Sequence, residues 1–155
     1  MRASWRWSTN SVRGFARLAP SERGVVVRAL IAAPLVRQGL KRRSYREVIE
    51  SLRNRPRPRV PTSEDATQVA ALAEKTLHRV PATYTCLVRS MVVWWLVGGD
   101  ASAEIRFGVA PATAGETPRF HAWVEVDGVP INDAHDVGEH YLPFTPPAPK
   151  LEQFD

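Results

Sequence analysis

The sequence predicts an α+β fold in which a central buried helix packs on a small antiparallel sheet, with a helical arm preceding both. Three observations carry this. First, Cys86-Leu-Val-Arg-Ser-Met-Val-Val-Trp-Trp-Leu-Val97 is apolar on every side from Met91 onward and ends at Gly98-Gly99, the pattern of a buried helix closed by a glycine stop. Second, Ala103, Ile105, Phe107 and Val109 alternate with Glu104, Arg106 and Gly108, as in a strand with one buried face. Third, two strand-like runs flank Asp127-Gly128, a strong hairpin signal.

Residues 1–18 hold Arg and Trp without a clear period and are expected to be loosely ordered. Ser21-Glu-Arg opens a helix with Val25, Val26, Ala29, Leu30 and Ala33 on one side, which Pro34 is expected to kink or split. Ser44-Tyr-Arg-Glu47 has capping-box spacing and starts a second helix with Val48, Ile49 and Leu52 as its apolar face. Arg53-Asn-Arg-Pro-Arg-Pro-Arg-Val-Pro61 cannot continue it and reads as a linker. The chain therefore divides into an arm and linker, residues 1–61, and a body, residues 62–155. The body opens with a helix from Thr62-Ser63-Glu64 to about Arg79, built on Val69, Leu72, Ala73, Thr76 and Leu77. His78 reads as a charge at its C-terminal end. Pro111–Pro118 is a loop, and the tail from Pro143 to Pro149 is extended.

A chain of 155 residues with 44% hydrophobic content suffices for one core. One cysteine excludes an internal disulfide, and nothing points to an oxidising compartment. The N-terminus lacks the apolar run of a signal peptide. Val25–Val36 is broken by Arg28 and Pro34 and falls short of the roughly 20 residues of a membrane span, so the expected location is cytoplasmic. Charge is uneven. Residues 1–60 carry 15 Lys+Arg against three acids, and the remainder 6 against 13. A basic arm on an acidic body suggests an anionic partner, unless its apolar faces pack on the body as core. No aromatic-basic motif accompanies the charge, so nucleic acid is not the partner expected.

The chemistry concentrates in Cys86, His121 and Asp133. A thiol in the first turn of a helix feels the positive end of the helix dipole, which favours the thiolate nucleophile. A histidine can take and return the proton, and a third group must hold its ring. Each residue alone has an ordinary reading: a buried thiol, a surface histidine, an aspartate ending a strand. Together, Cys then His then Asp is the order of a cysteine-enzyme triad. The hairpin turn decides whether the last two meet. A two-residue loop at Asp127-Gly128 pairs Val126 with Val129 and sends Asp133 to the face away from His121. A three-residue loop with Gly128 last pairs Glu125 with Val129 and sets His121 opposite Asp133. The triad is therefore expected to require the three-residue turn. Asn132 is a minor competitor as the orienting group. His121, Asp133, His135 and His140 match no strong metal signature, so neither metal nor cofactor is expected.

Cys86-Leu-Val-Arg-Ser90, then His121-Ala-Trp-Val-Glu125, Gly128 and Asp133, resembles the leader peptidase of lasso peptide biosynthesis, a stand-alone transglutaminase-like cysteine protease. The resemblance covers roughly residues 62–142. It implies a transglutaminase-like/papain-like fold for residues 62–155, with Cys86 as nucleophile, His121 as general base and acid, and Asp133 as its orienter. It implies removal of a leader peptide from a ribosomally made precursor, freeing the amine that an ATP-dependent macrolactam cyclase joins to a side-chain carboxylate. No room exists before residue 62 for a winged-helix recognition domain, so a separate small recognition protein is implied. No glutamine shortly before Cys86 supplies the oxyanion donor of papain-like enzymes; the Cys86 N–H is one candidate. The alternatives are a transglutaminase-like acyltransferase and a non-catalytic peptide-binding protein of the same fold.

Overall fold

The computed structural model describes residues 14–56, 63–80, 82–98, 102–111 and 117–144. Most of the expected Pro/Arg linker, the boundary at residue 62, the central part of the 111–118 loop and the tail beyond residue 144 lie outside these.

Helix α1 spans Pro20–Leu40. Pro20 suits the first position, where its missing N–H has no intrahelical partner, and the Glu22 carboxylate accepts from the Ala19 N–H at 2.6 Å. Of the expected kink or split at Pro34, the split does not occur: α1 runs as one helix through it. The proline lies on the exposed side while Ala33 and Val36 beside it are buried, so packing outweighs one lost backbone bond. Helix α2, Tyr45–Arg53, starts at the expected capping box: the Ser44 N–H donates to Glu47 Oε2 at 2.8 Å and the Glu47 N–H to Ser44 Oγ at 3.4 Å. Helix α3 covers Ser63–Arg79 and α4 covers Cys86–Leu96.

Strands β1 (Ala103–Ala110), β2 (Arg119–Val126), β3 (Val129–Pro130) and β4 (Leu142–Pro143), with a short helix α5 (Val137–His140) before β4, form a sheet in the order β3-β2-β1-β4. The described strand pairs are all antiparallel. The short β4 and α5 carry no periodic signal.

One core joins all layers. Leu87, Val88, Met91, Val92, Val93 and Leu96 of α4 are fully buried. They share a cluster with Val25, Ala29 and Val36 of α1, Val48 and Leu52 of α2, Ala70 and Leu77 of α3, and Phe107, Ala122 and Val124 of the sheet. Helix α1 packs on both α3 and α4, and Tyr45 meets Phe107 edge-on at 5.6 Å. The apolar faces read as those of an arm are thus core faces. Burying a valine contributes about 1.5–3 kcal/mol, so α1 is a sizeable part of this core. No helix among the described residues is long and apolar enough to cross a membrane.

The hairpin corrects the expected register. Asp127 at φ 51° and Gly128 at φ 79° form a two-residue turn, and Val126 pairs with Val129 and Glu125 with Pro130. Two left-handed residues in succession match the twist of the strands, and Asp-Gly supplies them cheaply. A three-residue turn is absent.

Candidate active site

Cys86, His121 and Asp133 meet even though the turn that was expected to bring the last two together does not form. Strand β3 stops after two residues. The Ile131 N–H still donates to the Val124 carbonyl at 3.0 Å, but the Val124 N–H donates to Asn132 Oδ1 at 2.7 Å instead of to the ladder. The chain turns away there. One ladder step further, the Ala122 carbonyl accepts from Ser90 Oγ at 2.8 Å. Helix α4 thus occupies the edge of β2 that a longer β3 would cover. Cys86 lies one helical turn from Ser90, and His121 is the neighbour of Ala122, so the edge contact brings thiol and imidazole together. Asp133, released from the strand, swings onto the histidine.

His121 Nε2 and Asp133 Oδ2 are 2.5 Å apart, and the Ala134 N–H donates to Asp133 Oδ1 at 2.8 Å. His121 also hydrogen-bonds Cys86. Burial alone would lower the His121 pKa, but the hydrogen bonds to Asp133 and Cys86 and their charges outweigh it and push it up to about 9. Burial likewise raises Asp133, but the bonds from His121 and the Ala134 N–H, with the charges of His121 and Arg89, hold it below its ordinary value. At the helix start, Thr85 Oγ1 accepts the Val88 N–H at 3.4 Å, an N-cap that fixes the turn carrying Cys86. The thiol is partly exposed.

Two rings hold the imidazole. Tyr141 stacks on it at 4.7 Å and Trp123 lies at 6.1 Å. Gly108 pairs with His121 across the sheet, and a Cβ there would stand 2.6 Å from Tyr141 Cβ and 2.9 Å from the Trp123 ring. Glycine is needed for that close approach. Trp123 Nε1 donates to Glu125 Oε1, and Arg106 Nε to Glu125 Oε2, both at 2.8 Å.

Behind Asp133 lies a polar network that sequence reasoning missed. Asn132 Nδ2 donates to Glu74 Oε1 at 3.0 Å and to Ser90 Oγ at 3.3 Å. Glu74 Oε2 is 3.6 Å from Arg89 Nε and 3.5 Å from His78 Nε2. Asn132 therefore locks the bend rather than orienting His121. His78 belongs to this network, beyond its place at the end of α3. The available signal was Ser90, a polar residue within an otherwise apolar helix. His140 pairs with Asp136 at the surface at 3.3 Å, and no group of three potential metal ligands occurs among the described residues.

A family model described as transglutaminase-like superfamily matches residues 29–145, which include Cys86, His121 and Asp133. The chain belongs to the transglutaminase-like superfamily. The match begins inside α1 and ends just past β4, so the superfamily region includes most of the first helix as well as the site. No curated protein and no solved structure is matched. The superfamily includes cysteine peptidases and acyltransferases.

Proposed function

We propose that the chain is a cysteine peptidase that removes the leader from a ribosomally made lasso peptide precursor. The observation that carries the chemistry is His121 bonded at once to Asp133 and Cys86. With Nε2 committed to Asp133, Nδ1 is the nitrogen left for the sulfur. A histidine with a pKa of about 9 is an imidazolium at neutral pH and carries the proton that the leaving amine needs. Sγ attacks the scissile carbonyl carbon, and the oxyanion forms at the start of α4, where the Cys86 N–H is the candidate donor. The C–N bond breaks as His121 gives its proton to the leaving amine. His121 then takes a proton from water as its oxygen attacks the thioester; the C–S bond breaks, freeing Sγ and the leader acid, which ionises into solvent. The specific substrate rests on the Cys-Leu-Val-Arg and His-Ala-Trp-Val-Glu elements. With it come the separate leader-recognition protein, the cyclase that uses the freed amine and a cytoplasmic location.

The test is cleavage of a purified precursor together with its recognition protein, read by mass. Cys86→Ala should abolish cleavage and leave the melting temperature within a few degrees. His121→Ala should be nearly as damaging, and Asp133→Asn should keep partial kcat, because an orienter is less essential than a nucleophile. Full activity of Cys86→Ala would end the cysteine-enzyme reading. A new amide in place of a leader carboxylate would make the chain an acyltransferase.

A further inference from the structure

We propose that the groove between α1 and α2 docks an acidic, amphipathic peptide segment of another protein. This proposal is independent of the chemistry at Cys86. The groove has a volume of about 270 Å³ and reaches Trp95 near the far end of α4. Trp95 is nine residues from Cys86, or about 14 Å along the helix, so the groove is not the reaction cleft.

Two features specify the occupant. Arg28, Arg42, Arg43 and Arg55 line the groove, and no acidic side chain among the described residues does, so a carboxylate-bearing ligand is complementary. Val27, Ile31 and Leu35 are 45%, 58% and 49% exposed at successive four-residue steps of α1, one aliphatic ridge whose last two members line the groove. Trp95, only 8% exposed, forms part of the floor.

A peptide supplies both complements: carboxylates for the arginines and aliphatic side chains for the ridge. A bilayer is a poorer fit, since the surface is concave. From Arg28 to Gly39 the wall runs about 16 Å, room for about three turns of a docked helix.

The test uses the full chain. Random peptides of about 16 residues, displayed on phage, are panned against it, and the enriched sequence is synthesised with a fluorophore for anisotropy. Enrichment of Glu and Asp interspersed with aliphatic residues is expected, with binding that weakens as salt rises. Leu35→Asp, and Arg42→Glu combined with Arg55→Glu, should each weaken binding about tenfold or more. All three positions lie outside the site, so the rate of Cys86 alkylation should be unchanged in every variant. Panning without an acidic consensus, or binding indifferent to both surface variants, would overturn the proposal. Capture by phosphatidylserine vesicles, lost in the same variants while peptides fail to bind, would assign the groove to a membrane and overturn it equally.

Discussion

Replacing Asn132 with alanine should destabilise the protein and disable the site together. The side chain makes three bonds: it accepts from the Val124 N–H at 2.7 Å and donates to Glu74 at 3.0 Å and Ser90 at 3.3 Å. Val124 is fully buried, so its N–H would lose its partner where water cannot readily replace it, at about 1–3 kcal/mol. The bond to the Glu74 carboxylate adds about 1.5 kcal/mol, near the low end for a charged acceptor. A total of about 3 kcal/mol lowers the melting temperature of a domain this size by about 6–12 °C. With the bend unlatched, Asp133 loses its fixed place, and kcat should fall about tenfold to a hundredfold. Asn132→Asp sharpens the test. It keeps the acceptor for Val124 but sets a carboxylate against Glu74, so it should be less stable at neutral pH than in mild acid. Thermal melts with leader-cleavage kinetics measure both effects. A melting temperature within about 2 °C of the unmodified protein, with unchanged kcat, would refute the latch.

The pH profile should carry the signature of His121. Its folded pKa of about 9 lies above the ordinary 6.5, so its stabilisation is fully present below pH 6.5 and is lost as pH rises through about 9. At 1.36 kcal/mol per pKa unit this amounts to about 3 kcal/mol. Urea unfolding at either end of that window should show the loss, and His121→Ala should flatten it; an equal slope in that variant would sink the assignment. Asp133, held low, stabilises above the ordinary carboxylate range and loses that contribution as pH falls through its folded value. Activity should decline on the alkaline side as the imidazolium is titrated. Gly108→Ala should displace Tyr141 from the imidazole, because the added methyl would meet Tyr141 Cβ at 2.6 Å. Kinetics showing an unaltered kcat in that variant would separate the stacked ring from catalysis.

The elements that report themselves through local chemistry were legible in the sequence. The Ser44–Glu47 capping box, the apolar α4 with Cys86 at its first turn and the Asp127-Gly128 hairpin are each set by nearby residues. The features that escaped are non-local. Pro34 sits inside an intact helix because α3 and α4 hold both sides of it. Cys86, His121 and Asp133 do come together, but by a route other than the expected turn. Turn geometry sets register only while the ladder continues, and this ladder ends at Pro130 for the sake of a side-chain bond from Asn132. Glu74, Ser90 and Asn132 are 16 to 58 positions apart, and no periodicity links them.

The brevity of β3 has a consequence for how the protein can diversify. Because Asp133 is seated by Asn132 and the flank of α4, the tip of the hairpin is uncoupled from the histidine's partner. Residues can be inserted or exchanged around Asp127-Gly128 with the active geometry retained, since only the short stretch of residues 129–131 joins the tip to the bend at Asn132. The tip is a place where selection can reshape the surface near the site at little cost to the reaction, whereas the side chains beneath it admit few alternatives.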